Sequence, residues 1–286
     1  MANVIAEIGI NFGGNIDIAK DLILQASRAG CWGVKFQFRN IETFYFVDNE
    51  IGDAMVRSEI EKNNLTFEQL SILQKHANDL GLEFGMSFFR KEDLDFYLSY
   101  IGDPDFYKVP SAECMNAMLV DALLQRNKTV LISTGGHRVE EVINQYSNDK
   151  YKHIIILHCI ANYPADLGIQ NLSKIEKIAE THQSGYSSHD VDYEVCIAAI
   201  ALGAAWIERH LTNDKDGIGL DDSSSSTEGE IKLICKFAKL AEGMVGVPDC
   251  PPNQGEILNM QNLGTGLYLK RNLNSGTILS SDDYVV

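Results

Sequence analysis

The stretch RAGCWGVKFQF, residues 28–38, decides the fold of this chain. Gly30 is placed to end a helix in the left-handed conformation, and the apolar run after it has the composition of a buried strand. The same junction recurs as DLG at Gly81 and ALG at Gly203, each time before another apolar run. A helix that ends in glycine and leads into a strand is typical of an α/β protein with a parallel sheet.

Strands and helices alternate eight times between the first residues and position 245. The predicted strands are Val4–Glu7, Gly33–Phe38, Glu83–Ser87, Phe106–Val109, Thr129–Ser133, Ile154–His158, Gly185–Ser187 and Trp206–His210. The predicted helices are Ile16–Ala29, Thr66–Leu80, Lys91–Ile101, Ala117–Arg126, Val139–Ser147, Leu172–Thr181, Tyr193–Leu202 and Gly229–Glu242. Eight such units favour a closed (β/α)₈ TIM barrel over an open doubly wound sheet.

The barrel is expected to occupy residues 1–245 and to be followed by a short C-terminal extension. Residues 246–262 hold three of the six prolines and are interpreted as a linker. Residues 263–286 resemble a hairpin with a turn near Asn274 to Gly276. Two connections are long: Arg39 to Leu65, which we expect to act as a lid, and Thr212 to Glu228.

Composition excludes several classes of function. A net charge of −16 over 286 residues would repel nucleic acid and anionic membranes. The six cysteines form no C-x-x-C pair, which indicates reduced thiols, mostly in the core, of a cytoplasmic protein. The N-terminus lacks a basic signal region, and the longest apolar run is too short to cross a bilayer. Nucleophile-elbow, P-loop and dinucleotide-binding motifs are missing as well, which disfavours those reactions.

Polar residues end nearly every predicted strand, and in a TIM barrel those ends face one common mouth. Lys35 and Lys108 lie within apolar strands, where an ammonium group needs an anionic partner that a bound phosphate or carboxylate could supply. The serines at the strand ends could donate hydrogen bonds to such an anion, or could simply form turns. The serines in question are Ser87, Ser111, Ser133 and Ser187.

His189 and His210 follow neighbouring strands, so that their imidazoles could hold a divalent metal ion across the mouth. Glu208 lies on the same face as His210 and would suit a Lewis-acid ion such as Mn²⁺ or Mg²⁺. A purely structural role for the two histidines remains the alternative. His158 is expected to be a core histidine bonded to the backbone.

Several motifs occur together in one order and spacing. They are VIAEIGINFGGN, VKFQ, YKVPSAE, LISTGG, LHCIANYP, GYSSHD and IERHLTNDK, between Val4 and Glu230. In this the chain resembles the sialic acid (N-acetylneuraminate) synthase family, which includes legionaminate and pseudaminate synthases. The resemblance implies a metal-dependent TIM-barrel transferase that condenses phosphoenolpyruvate with an open-chain aldose, usually an N-acyl hexosamine, giving a 3-deoxy-2-keto acid and phosphate.

The resemblance also implies roles for individual residues. The phosphoenolpyruvate site would comprise Lys35, Ser87, Lys108, Ser111, Ser133, Asn162 and Ser187. The sugar would contact Gln37, Glu113, Tyr163 and Asp221, and the metal would be bound by His189 and His210 with Glu208 close by. Phosphoenolpyruvate is a trianion near neutral pH, which independently requires concentrated cations. Glu7 is our candidate for a general base or for a group that positions the water, so that Glu7, Lys35 and Lys108 form the predicted catalytic set.

The chain departs from the family pattern mainly on the side of the sugar. Ser188 replaces an aspartate, Leu220 a proline and Asp222 a histidine. The tail resembles the beginning of the family's antifreeze-like domain, so residues 263–286 are interpreted as a remnant of it; a shortened natural form and a truncated chain both fit. A different acceptor, such as a phosphorylated aldose, and a non-catalytic ligand-binding paralogue stay open, and the barrel could form a homodimer through its helices.

Overall fold

The computed structural model describes residues 2–41, 54–247 and 249–286. Eight parallel strands pair in chain order, and the last strand pairs with the first, so that the sheet closes into a barrel. The barrel strands are β1 Asn3–Glu7, β2 Gly33–Phe38, β3 Glu83–Phe88, β4 Phe106–Val109, β5 Thr129–Ser133, β6 Ile155–Cys159, β7 Gln183–Ser188 and β8 Trp206–His210. The predicted TIM barrel is confirmed.

The described helices of the barrel surround these strands. They are α1 Ile16–Ala29, α2 Ala54–Lys62, α3 Phe67–Asp79, α4 Lys91–Leu98, α5 Ala117–Leu124, α6 Val139–Gln145, α7 Lys174–Ala179, α8 Glu194–Ala201 and α9 Glu228–Val245. Local signals fix several ends: Gly30 adopts φ +88° and its N–H bonds the last carbonyls of α1. Thr66 and Gln69 form a reciprocal capping box at the start of α3.

Helix α2 lies within the connection from Arg39 to Leu65 that we predicted as a lid loop. Residues 42–53 of that connection lie outside the described residues, and the lid role stays a prediction. A side-chain bond closes the described end of α2 onto the first loop of the barrel, because Gly14 N–H donates to Asn63 Oδ1 at 2.9 Å. The described half of this connection is therefore structured and lies beside the barrel mouth.

Apolar side chains fill the N-terminal half of the barrel interior. This buried cluster comprises Ile5, Phe106, Leu131, Ile155, Leu157 and Trp206. Gly85 faces it, and any Cβ at that position would collide with the ring of Phe106. The large ring on one strand is thus accommodated by the missing side chain on its neighbour, which leaves the C-terminal half of the barrel for polar residues.

The chain divides into two compact units, Met1–Val245 and Gly246–Val286. The second unit contains helix α10 Gln254–Leu263 and the short antiparallel strands β9 Tyr268–Leu269 and β10 Tyr284–Val285. We did not predict α10, which begins inside the segment interpreted as a linker. Its start is fixed by a capping box between Asn253 and Glu256, directly after two prolines that are compatible with a helix entry but not with its interior.

Within the part of the chain that the structure describes, no helix is both long and apolar enough to cross a bilayer.

Candidate active site at the barrel mouth

Inward-facing polar residues gather at the C-terminal end of the barrel. In a parallel sheet, residues in register point to the same face. Glu7 is in register with both Lys35 and His210, and Ser87 is in register with Lys108. The residues lining the resulting inner pocket, of about 230 Å³, are Glu7, Lys35, Gln37, Arg39, Ser87, Phe89, Lys108, Pro110, Ser111, Ala112, Ser133, Ala161, Tyr163, Ser187, His189, Glu208 and His210.

Two buried lysines and two buried carboxylates form the floor of this inner pocket. Lys35 Nζ lies 2.6 Å from Glu7 Oε2 and donates to Ser87 Oγ at 2.7 Å. Lys108 Nζ lies 3.4 Å from Glu208 Oε2, and Lys35 Nζ lies 3.9 Å from the other oxygen of Glu208. We had expected a bound anion to be the partner of these lysines. The protein instead supplies carboxylates of its own, because both ammonium groups are almost fully buried.

The two carboxylates differ in their protonation. Burial raises the pKa of Glu7, and the opposing attraction of Lys35 does not cancel that effect. Burial also acts to raise the pKa of Glu208, but Lys108, Lys35 and His189 together hold it below its usual value. Glu208 therefore stays ionised, whereas Glu7 is suited to accept and release a proton. Protonation of Glu7 would leave the inner pocket with a positive excess that favours an anion.

Hydroxyl groups cover the remaining wall of the inner pocket. Ser133 Oγ is buried and has no hydrogen-bond partner among the described residues. Ser111 Oγ accepts from the N–H of Gly135 at 3.1 Å and donates to Cys159 Sγ at 3.5 Å, and these two contacts fix its position in the pocket wall. A buried donor without a partner costs about 1–3 kcal/mol, so Ser133 is suited to a ligand oxygen.

The two predicted metal-binding histidines lie side by side, with ring centroids 5.4 Å apart. His189 Nδ1 lies 2.8 Å from the Ile160 carbonyl oxygen and so carries the proton, which leaves Nε2 as a free lone pair. Burial and neighbouring cations hold the pKa of His210 well below its usual range, so this imidazole is neutral and able to bind a metal. His210 Nδ1 lies 3.4 Å from Asp221 Oδ2.

These donors fit part of a divalent-metal site. Two imidazoles and a nearby carboxylate are suitable ligands, but Glu208 is ion-paired with Lys108 and Lys35. Among residues 2–41, 54–247 and 249–286, no three His, Cys, Asp or Glu side chains are already arranged around one ion position. Substrate oxygens or water would have to complete the coordination.

An outer pocket of about 430 Å³ adjoins the inner one and shares four residues with it. The described residues lining the outer pocket are Ile10, Gln37, Arg39, Glu59, Ile60, Tyr163, His210, Leu220 and Asp221. Gln37 Nε2 donates to Glu7 Oε1 at 2.9 Å, and the Tyr163 ring lies 4.1 Å from the His189 ring. Gln37 and Tyr163 therefore stand at the junction, where an inner and an outer ligand would meet.

Two predicted site residues lie elsewhere. Asn162 and Glu113 are not among the described residues that line either pocket. Asn162 is exposed, and Glu113 accepts a hydrogen bond from Asn116 Nδ2 at 2.9 Å in the turn after β4. Their roles stay predictions.

From the sequence we considered Arg39 only as a possible partner of a phosphorylated acceptor, and we undervalued Cys159. The Arg39 guanidinium lies 3.6 Å from the centre of the Phe89 ring and lines both pockets. It continues the period of two set by Lys35 and Gln37, a signal that was available. Cys159 is in register with Ser187 and lies 3.7 Å from His189 Nδ1, so it contacts the site rather than only filling core.

Side chains alternate along a strand, so the neighbours of the inward-facing residues lie on the outer face of the barrel. His158 is such a residue, and its Nε2 lies 2.6 Å from the carbonyl oxygen of Gln170, which confirms it as a core histidine. Ser188 is another: it donates to Asp190 Oδ2 at 2.8 Å and accepts from Arg209 at 2.8 Å. Ser188 thus lies outside both pockets. Our expectation that this departure from the family pattern lies on the side of the sugar was wrong.

The other two departures lie in the loop after β8. Asp222 accepts from Thr212 Oγ1 at 2.7 Å and from the N–H of Gly219 at 2.8 Å, which orders the loop. Leu220 alone of the three lines the outer pocket. The altered residues therefore change loop packing and one apolar wall, while the inner pocket keeps its lysines and hydroxyls.

A closed (β/α)₈ barrel with buried cations, hydroxyls and paired imidazoles at its C-terminal mouth has the architecture of a TIM-barrel enzyme. The model of the NeuB family matches residues 22–249. The chain therefore belongs to the NeuB family and is an enzyme of the sialic acid synthase type.

Individual relatives cover nearly the whole chain. N,N'-diacetyllegionaminic acid synthase of Legionella pneumophila is 29% identical over 307 residues, which cover 99% of this chain and 84% of that protein. Human N-acetylneuraminate-9-phosphate synthase is 29% identical over 293 residues, covering 98% and 81%. A sialic acid synthetase from Leptospira borgpetersenii, solved with citrate, superposes with a TM-score of 0.80 over 92% of both chains at 24% identity and supports the fold.

Proposed function

We propose that this protein condenses phosphoenolpyruvate with an open-chain aldose, giving a 3-deoxy-2-keto acid of the nonulosonate type and phosphate. The observation that carries the proposal is the pair of buried lysines, Lys35 and Lys108, in a hydroxyl-lined inner pocket that opens directly into a larger outer pocket. The inner pocket would take the anionic donor and the outer pocket the sugar. Membership of the NeuB family supports the same reaction.

Lys35 and Lys108 would bind the phosphate together with Ser111 and Ser187, and Ser87 and Ser133 would bind the carboxylate. The ammonium groups of Lys35 and Lys108 are already buried and held in position, so little reorganisation of the protein is needed when the anion binds. The free Ser133 hydroxyl and the Lys35-bound Ser87 hydroxyl provide oriented polar groups for a carboxylate. Arg39, at the junction of the pockets, would add a further positive charge on the donor side.

Glu7 would manage the protons of the reaction. C3 of the donor bonds to the aldehyde carbon, the aldehyde oxygen gains a proton, water adds at C2, and loss of phosphate leaves the 2-keto group. Glu7 lines the inner pocket, is in register with Lys35 and His210, and accepts a hydrogen bond from Gln37, which lines both pockets. Its raised pKa suits a group that takes a proton from water near neutral pH.

His189 and His210 would hold a divalent ion, with Asp221 near His210. When bound there, the ion would polarise the acceptor aldehyde. The Ile160 carbonyl holds the His189 ring in the tautomer that presents Nε2. Glu208 would not bind the ion; it would hold Lys108 and Lys35 in position through its ion pairs with them.

Binding of phosphoenolpyruvate tests the proposed role of the two buried lysines. We expect phosphoenolpyruvate to bind the wild-type protein in calorimetry and Lys108→Met to weaken that binding by at least about 100-fold, since a charge-assisted contact to the anion is lost. The exposed Lys152, which lies 3.6 Å from Asp149, gives the matched control Lys152→Met. Equal weakening in both variants, or no binding by the wild type, would contradict the proposed donor site.

A further inference from the structure

Two cysteines away from the barrel mouth are in direct contact with each other. Cys31 Sγ and Cys235 Sγ lie 4.0 Å apart, and either thiol can donate to the other. Cys31 stands between the end of α1 and the start of β2, whereas Cys235 lies within α9. Because β2 begins two residues after Cys31, the pair lies toward the end of the barrel opposite to the mouth. The proposed condensation does not use these two thiols.

The two helices that bring the cysteines together are closely packed. A Cβ at Gly30, which ends α1, would lie 3.9 Å from Cys235 Cβ and 3.3 Å from Lys239 Nζ. Arg28 donates to the carboxylate of Glu228, at the start of α9, through Nε at 3.0 Å and Nη2 at 2.7 Å. A disulfide has an S–S distance of about 2.05 Å, so the two sulfurs have to approach by about 2 Å, which is on the scale of a side-chain rotation.

The pair also has the protonation state that thiol oxidation requires. The Cys31 S–H and the ammonium group of Lys239 lower the pKa of Cys235, and the hydrogen bond to Cys235 raises the pKa of Cys31. One thiolate beside one thiol is thus favoured, and the thiolate is the reactive form. Cys235 is only 2% exposed, but Cys31 is partly exposed, so a small oxidant can reach the pair from solvent.

We propose that Cys31 and Cys235 form an oxidation site, which a hydroperoxide converts into an intramolecular disulfide. The thiolate of the pair attacks one peroxide oxygen, the O–O bond breaks, and a sulfenic acid and a hydroxide ion form. The other sulfur then attacks the sulfenic sulfur, loses its proton and displaces the hydroxyl group. Two electrons pass from the sulfurs to the peroxide, so that two thiols and hydrogen peroxide give one disulfide and two water molecules.

The disulfide would join the first and the last helix of the barrel. β1 pairs with β8 where the sheet closes, and α1 and α9 are the helices that follow these two strands. The two cysteines are 204 positions apart in the chain, so the bond would enclose β2 to β8 in a covalent ring. A crosslink over so long a segment restricts the unfolded chain. The oxidised protein is therefore expected to resist unfolding more than the reduced protein.

The test treats the folded protein with a small excess of hydrogen peroxide, blocks the remaining thiols with N-ethylmaleimide in urea, and identifies linked tryptic peptides by mass spectrometry. We expect a species that joins peptides 29–35 and 233–236 and has two hydrogens fewer than their sum. Dithiothreitol should remove this species. The Tm of the oxidised protein should exceed that of the reduced protein by at least about 5 °C.

Variants separate this site from the other thiols. Cys31→Ser should abolish both the linked species and the rise in Tm, whereas Cys250→Ser, at an exposed cysteine of the second unit, should change neither. Lys239→Met should slow disulfide formation several-fold, because the thiolate loses a nearby cation. Lys236→Met should slow it less, since adjacent residues of a helix do not face each other.

Recovery of Cys31 and Cys235 with N-ethylmaleimide on both, or as two separate sulfinic acids, would overturn the inference. A disulfide between two chains, or one that forms only after unfolding in urea, would overturn it as well. A protein that carries the bond but unfolds at an unchanged Tm would contradict the proposed closure of the barrel.

Discussion

Glu7 is the residue on which donor and acceptor chemistry meet. Its two oxygens already contact Lys35 and Gln37, so the carboxyl group is held in one orientation. A glutamine at this position keeps the size and can accept from only one of these two donors, and it can neither take up a proton nor hold a negative charge.

Glu7→Gln is therefore expected to reduce the rate of phosphate release by about 10²–10⁴-fold while phosphoenolpyruvate still binds. Steady-state kinetics and calorimetry on the same preparation separate the two effects. Unchanged turnover would rule out the proton-transfer role.

Asp103, far from the mouth, is the residue whose ionisation most clearly supports the fold. Arg126 Nε and Nη2 each donate to its carboxylate at 2.7 Å, and the hydroxyl of Tyr107 donates to it as well. The Arg126 guanidinium, helped by Tyr107, lowers the pKa of Asp103 to about 2. A carboxyl group with a depressed pKa stabilises the folded state above its unfolded pKa, and that contribution is lost as the pH falls toward 2.

Asp103→Asn should lower the free energy of unfolding by about 1 kcal/mol at pH 7. The effect is modest because solvent around the partly exposed Arg126 screens its attraction to Asp103. The difference from wild type should shrink as the pH is lowered from 4 toward 2, as urea unfolding at several pH values can measure. Asp149→Asn, at a fully exposed pair, serves as the control. A difference that stayed constant with pH would contradict this account.

Among the elements, β8 connects the mouth to the loop that follows it. Arg209 is fully buried on the outer face of this strand, where it donates to Ser188 Oγ at 2.8 Å, the Asp190 carbonyl at 2.6 Å and Ser226 Oγ at 2.9 Å. It thereby joins β7, β8 and the end of the loop that carries Asp221. Removal of such a buried charge leaves its partners unsatisfied.

Arg209→Met is expected to destabilise the barrel by about 3–5 kcal/mol, and Arg209→Lys by less, since lysine can replace only part of the donor set. Chemical denaturation measures both. The exposed Arg138 provides the control Arg138→Met, for which we expect a change within about 0.5 kcal/mol. A Met variant as stable as wild type would show that the buried network does not hold these elements together.

Strands were easier to predict than helix ends, and the reason is physical. The strand Gly33–Phe38 is fixed by a short and largely apolar run, and its predicted bounds and those of Trp206–His210 agree with the structure. Helices α4 and α6 end earlier than predicted because their last turns relax into caps. Helix α10 was missed because the prolines led us to interpret this segment as a linker, although Asn253 and Glu256 form a capping box at its start.

The candidate site was predictable where chemistry and period coincide. Lys35, Lys108 and the strand-end serines stand out as polar residues in apolar strands. The carboxylate partners were not predictable, because the register of β1 and β2 decides that Glu7 meets Lys35, and closure of the barrel decides that Glu208 on β8 meets Lys108 on β4. The residues of the outer pocket could be predicted only in part, because some of them lie on α2, within a connection whose sequence shows no strand pattern.

At the scale of the whole molecule, the barrel core is contained within one unit. The buried apolar residues of the structure run from Val4 to Ala241, while the second unit contributes the buried Asp283. A chain that ends at Val245 is therefore expected to unfold cooperatively, with a free energy of unfolding within about 1 kcal/mol of the full chain. Urea denaturation followed by circular dichroism checks this, and a non-cooperative transition would contradict an independent barrel.

The central claim is that the barrel mouth joins phosphoenolpyruvate to an aldose. The most direct measurement is ¹³C NMR of the purified protein supplied with [3-¹³C]phosphoenolpyruvate, Mn²⁺ and N-acylated or deoxy aldoses, with phosphate measured in the same samples. We expect a new methylene signal of a 3-deoxy-2-keto acid, formed in equal amount with phosphate and absent without the sugar or with EDTA. Phosphate release without the new carbon–carbon bond, or bound phosphoenolpyruvate that stays unchanged with every aldose, would contradict the account.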